Sequence, residues 1–124
     1  MLLDTHALVW ALSAPRRLPR SVAQALTDPD NTVYVSAASA WEVAIKAALG
    51  KIDADLTDIA EGAKRTGFME LPIRIRDTVR VRMLPPHHRD PFDRMLIAQA
   101  IEQGLTLVSR DPVFRNYDVT TLWA

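Results

Sequence analysis

Five short apolar or β-branched runs, each separated from the next by a longer stretch of helical spacing, constrain this chain more than any other feature. The runs cover residues 1–3, 32–35, 69–71, 105–108 and 119–122. Between them, helices are expected at 6–12, 20–27, 40–49, 56–66, 73–82 and 91–103, with a short helical turn after Asp111-Pro112. Phe92, Leu96 and Ala100 recur four apart and mark the buried side of the 91–103 helix. In the 73–82 helix the same logic assigns Ile75 and Val79 to the inner face. Gly50 and Gly104 follow helices as stops, and Pro85-Pro86 ends the one before them. Strands that always return through a helix are joined by crossovers, so the fold class is α/β, with a mostly parallel sheet of four to five strands between helical layers. In such sheets ligands bind beyond the carboxyl ends of the strands, where the strand order reverses. Chemistry is therefore expected there.

The chain has 124 residues, enough for a single domain spanning 1–124. It contains no cysteine, which excludes disulfides, thiolate nucleophiles and sulfur-built zinc sites. No apolar run is long enough to span a bilayer and no leader pattern opens the chain, so a cytoplasmic location with no membrane partner is expected. Fifteen basic residues against fifteen acidic ones give zero net charge, which argues against nucleic-acid binding by bulk charge. The charge is unevenly spread: Arg74, Arg76, Arg80, Arg82, Arg89 and Arg94 crowd one stretch, and Arg16, Arg17 and Arg20 form a second group. Within the first, Arg80, Arg82, Arg89 and Arg94 are candidates to meet a phosphate backbone. A solvated helix face explains any one of them equally well.

Acids gather where the topology predicts a crevice. Asp4 closes the first strand, Asp111 follows the fourth, and Glu42 lies near the start of the helix after the second. Asp93 sits at the start of the 91–103 helix. Each can also be read as a helix cap: Asp4 before its helix, Ser39-Ala-Trp-Glu42 as a capping box, and Asp90-Pro-Phe-Asp93 and Asp111-Pro112 as caps with proline at the first helical position. Asp90 is read as a cap first. Serine or asparagine would cap as well, yet acids fill this edge repeatedly. Clustered carboxylates repel unless a cation joins them. With no recognisable histidine ligand spacing at His6, His87 or His88, the expected cation is Mg²⁺, with Mn²⁺ as the alternative. Such an ion with ordered water can cleave a phosphodiester without a nucleophilic side chain. Thr5 and Ser109 are placed to hold neighbouring acids, and Lys46 lies four residues beyond Glu42 for an ion pair. Trp10, Trp41 and Trp123 are read as core residues.

Leu2-Leu3-Asp4-Thr5-His6-Ala7-Leu8-Val9-Trp10, the block from Ser36 to Lys46, the block His88-Arg-Asp90-Pro-Phe-Asp93-Arg94-Met-Leu-Ile-Ala-Gln99-Ala, and Ser109-Arg-Asp111 together resemble PIN-domain proteins of the VapC toxin type. The resemblance spans nearly the whole chain. It implies a three-layer α/β/α fold and a Mg²⁺- or Mn²⁺-dependent endoribonuclease. It also implies an acidic metal site at Asp4, Glu42, Asp93 and Asp111, with Asp90 as a further acid. A small VapB-type antitoxin and a homodimer are the partners it implies, beside the RNA substrate. Only three residues precede Asp4, so a native start a few residues longer would lengthen the first strand. The rival reading is a non-catalytic RNA- or protein-binding module whose acids merely cap helices. Other phosphate enzymes fit poorly: a dehalogenase-type phosphatase would want an acid at His6, and four scattered glycines cannot build a nucleotide loop.

Overall fold

The computed structural model describes residues 1–53 and 55–124. Its sheet has five parallel strands in the order β3-β2-β1-β4-β5: β1 (Leu2–Leu3), β2 (Tyr34–Ser36), β3 (Met69–Leu71), β4 (Leu107–Ser109) and β5 (Thr121–Trp123). The helices are α1 (Thr5–Ser13), α2 (Arg20–Thr27), α3 (Ala37–Ala48), α4 (Leu56–Thr66), α5 (Ile75–Met83) and α6 (Pro91–Gln103). Two 3₁₀ turns, Pro15–Arg17 and Pro112–Asn116, complete the order. The expected class and strand number are thus observed, with four elements at their expected bounds and the others shifted by one to three residues.

The pleat divides the core in two. Leu2 and Leu107 point to one face, where they meet Leu96, Ile97 and Ala100 of α6 and the ring of Phe114. Leu3 and Val108, one residue further, point to the other and meet Ala7 and Leu8 of α1 with Val22 of α2. β1 lies between β2 and β4, in register Leu2 with Tyr34 and Leu107, Leu3 with Val35 and Val108. Two residues suffice for this strand because both flanks are paired and both side chains are fully buried. The chain runs outward from β1 to β2 and β3, then returns to build β4 and β5 on the other side. The reversal falls between β1 and β4, and Asp4 and Ser109 stand at its carboxyl edge.

A buried polar tie crosses the sheet top. The Ser36 hydroxyl donates to Gln99 Oε1 at 2.5 Å, and Gln99 Nε2 donates to the Pro72 carbonyl at 3.1 Å. Gln99 is fully buried, and this tie sets α6 against the ends of β2 and β3.

Three expectations need correction, the first being Trp41, read as core but 60% exposed on α3. The cap of α3 is Ser36, whose hydroxyl accepts from the Ala38 N–H at 3.0 Å; Ser39 lies inside the helix and Glu42 does not reach back to it. The helix starts three residues early because the strand ends directly in a serine that can cap. In α5, Ile75 and Val79 face outward, 84% and 56% exposed, while Asp77 and Val81 turn inward and Leu84 follows them into the core. The i, i+4 stripe is real, but it faces away from the core.

Candidate active site

One cleft of about 340 Å³ opens at the strand-order reversal, lined by Asp4, Thr5, Glu42, Lys46, Asp90, Asp93 and Asp111 together with His6, Arg110 and Pro112. Four separate segments deliver its acids. Asp4 follows β1, Glu42 comes from α3, Asp90 and Asp93 from the start of α6, and Asp111 from the turn after β4.

Capping and lining the cleft turn out to be compatible. Asp4 Oδ1 accepts the Ala7 N–H at 2.8 Å, Asp111 Oδ1 accepts the Val113 N–H at 3.0 Å, and Asp90 Oδ1 accepts from Phe92 and Asp93. Each of these caps engages a single oxygen of its carboxylate, and all three residues line the cleft as well. Ser109, fully buried, accepts the Asp111 N–H at 3.1 Å and so orients the acid that follows it.

Glu42 is held differently. Its Oε1 accepts the Thr5 hydroxyl at 2.6 Å and its Oε2 pairs with Lys46 Nζ at 2.6 Å. Lys46 charge-balances the glutamate, as its position suggested, whereas the Thr5 hydroxyl holds Glu42 and not the adjacent Asp4. The pairing in turn raises the Lys46 pKa.

Burial raises the pKa of Asp4, with the Ser109 hydroxyl and the Ala7 N–H opposing it and Glu42 adding repulsion. Asp93 is pushed up to about 6, first by burial and then by the charge of Asp90, with His88 opposing the shift. Crowded, poorly hydrated carboxylates resist ionisation, and a cation is what relieves them. The donor set of carboxylate oxygens suits a hard divalent ion.

His88 is the site residue that sequence reasoning missed. Its Nε2 lies 2.8 Å from Asp93 Oδ2, and its Nδ1 accepts the Arg89 N–H at 3.1 Å, so the proton sits on Nε2 and is donated to Asp93. His88, Asp93 and Asp111 each offer an atom within 4.8 Å of the others. The only available signal was a histidine five residues before an acid. That interval does not place two side chains on one helix face, and the contact is made by the loop that bends over the start of α6.

The arginines divide. Arg80 Nε is paired with Glu102 at 2.6 Å. Arg94 directs both terminal nitrogens at the carbonyls of Val81, Leu84, Pro85 and His88 and at the Tyr117 hydroxyl. For these two, the expectation of an RNA contact gives way to an intramolecular use. Arg82 and Arg89 are exposed, and among the described residues their guanidiniums have no partner.

Comparison with known proteins agrees with this geometry. The PIN domain family matches residues 1–119. The chain is 31% identical over 123 residues to Ribonuclease VapC22 of Mycobacterium tuberculosis, covering 94% of this chain and 91% of the relative. The fold is similar to the structure of VapBC2 from Rickettsia felis bound to a promoter DNA fragment (TM-score 0.71, 16% identity, 98% of this chain and 96% of that one). It is also similar to FitAcB from Neisseria gonorrhoeae (TM-score 0.61, 17% identity, 98% and 95% covered). With the acids, the sheet order and these matches together, the chain belongs to the PIN-domain family.

Proposed function

We propose that this protein is the toxin of a type II toxin–antitoxin pair, an endoribonuclease that works in the cytoplasm as one domain over residues 1–124. The observation that carries the reading is the convergence of Asp4, Glu42, Asp93 and Asp111 on one cleft at the strand-order reversal. Its similarity to a VapC ribonuclease supports the choice of RNA as substrate.

Asp4, Asp93 and Asp111 would hold Mg²⁺ or Mn²⁺, with Glu42 completing the acidic wall. When bound, the ion supplies Lewis-acid chemistry, polarising the phosphate and acidifying water. The chain's own residues prepare that chemistry. Thr5 and Lys46 hold Glu42 in one orientation, and Ser109 orders Asp111. The Asp90 cap sets the first turn of α6, so that Asp93 faces the cleft.

Two apolar surfaces support protein partners. A groove of about 370 Å³ lined by Val35, Ala40, Leu56, Ile59, Ala63 and Phe68 suits a segment of a VapB-type antitoxin. Stripes of Trp41 and Ile45 on α3 with Leu49 just after it, and of Ile75, Val79 and Met83 on α5, lie exposed and suit a second copy of the chain. Among the described residues no helix is long and apolar enough to cross a membrane.

Asp4→Asn tests the central claim. Asparagine still caps α1, so the fold should keep its melting temperature within a few degrees. Cleavage of a single-stranded RNA should fall by at least two orders of magnitude. A variant that cuts RNA as fast as the parent would remove Asp4 from the site.

A further inference from the structure

The rim of the cleft carries an arrangement that the acids do not explain. Trp10, half-buried on α1, has the Arg17 guanidinium carbon 4.4 Å from its ring centroid and that of Arg110 at 4.7 Å. The Trp123 ring packs 5.7 Å away, and its backbone has φ 87, a conformation that an aromatic residue rarely adopts. His6 meets the edge of Trp10 at 6.3 Å. His6 and Arg110 also line the acidic cleft, so this patch and the cleft are continuous.

Both arginines are exposed, and among the described residues neither guanidinium has a carboxylate partner or donates a hydrogen bond. Two like charges sharing one ring, with no anion between them, leave a repulsion that a bound anion would relieve. Stacking on an indole fixes the plane of a guanidinium while leaving its N–H edge outward, the edge that matches a phosphate. The clamp is also in register with the acids through covalent links: Trp10 shares α1 with the cap Asp4, and Arg110 directly precedes Asp111. Arg80 and Arg94, by contrast, are committed within the fold.

We propose that Arg17 and Arg110, pinned by Trp10, form a clamp for the RNA backbone phosphates on one side of the scissile bond. The proposal rests on the ribonuclease reading and adds to it which surface carries the strand. The clamp meets phosphate, so it contributes affinity and register without reading bases.

The test uses Asp4→Asn protein, so that binding is read without cleavage, and a labelled single-stranded RNA followed by fluorescence anisotropy across a salt series. Adding Arg17→Ala and Arg110→Ala should weaken binding about tenfold or more. It should also flatten the slope of log affinity against log salt by roughly 0.7 for each phosphate that is no longer neutralised. Trp10→Leu, which changes no charge, should weaken binding as well, and Trp10→Phe should restore part of it. Arg82→Ala with Arg89→Ala should do less than the Arg17 and Arg110 pair. Unchanged affinity and slope in the Arg17 and Arg110 variant, with the parent still cutting RNA, would overturn the clamp and leave the ribonuclease standing. A parent that neither binds nor cuts RNA would overturn both. Loss of binding to a polyglutamate peptide, with RNA binding intact, would assign the patch to an acidic protein and also overturn the clamp.

Discussion

Asp4, Asp90 and Asp111 were legible as caps from their spacing, because a cap and the N–H it satisfies lie two or three residues apart. Their second use was legible only from their repetition at one sheet edge. The Thr5 to Glu42 bond joins residues 37 apart, so sequence position did not reveal it and only the fold could place it. Asp93 gives the clearest test at this scale. Its carboxyl, pushed up to about 6 from 3.8, favours the folded state while it is protonated. That contribution is complete below about 3.8 and is lost as pH rises through about 6, the reverse of a salt-bridged acid. Asp93→Asn should therefore melt higher than the parent at pH 7 in chelator, by about 5 °C, and the gap should close towards pH 4. Differential scanning fluorimetry across pH reads this directly, and a gap that widens in acid would contradict the assignment. Added Mn²⁺ should stabilise the parent more at pH 7 than at pH 5, since bound metal needs ionised ligands.

The element that organises the site is the start of α6 together with the loop before it. Arg94 gathers the carbonyls of that loop, and the Tyr117 hydroxyl accepts the His88 N–H at 2.8 Å and donates to the Pro85 carbonyl at 3.0 Å. The brace holds the His88 ring against Asp93. His88 is thus a positioning residue. His88→Ala should lower both cleavage and Mn²⁺ affinity about tenfold or more, the usual cost of losing an outer partner of a metal ligand. His88→Gln, which keeps a donor, should recover part of each. Equal kcat and equal metal affinity in His88→Ala would dismiss the role. The helix itself was readable from Phe92, Leu96 and Ala100, with Asp90-Pro91 before it and Gly104 after it. The face of α5 was not readable. A stripe at Ile75, Val79 and Met83 announces burial, but periodicity is silent on whether the covering surface belongs to the same chain.

For the molecule as a whole, alternation of strands and helices dictated a parallel sheet, and the crossover rule placed the chemistry at its carboxyl edge. The order β3-β2-β1-β4-β5 was beyond periodicity, because pairing choices between short apolar strands leave no mark on any one of them. The exposed stripes on α3 and α5 are the counterpart of that limit. Val79→Glu combined with Met83→Glu should leave the melting temperature within about 2 °C, since both side chains are more than half exposed. If the α5 stripe carries the proposed second copy, the same change should shift light-scattering mass from dimer to monomer; an unaltered dimer mass, or a monomeric parent, would remove α5 as the interface.

The acids come from positions 4, 42, 93 and 111, and β1 is paired on both flanks only when both β2 and β4 have formed. No fragment emerging from a ribosome can assemble that cleft until Asp111 has left the exit tunnel and β4 has docked. On the proposed function, cleavage is therefore expected only after the segment carrying Asp111 has been translated.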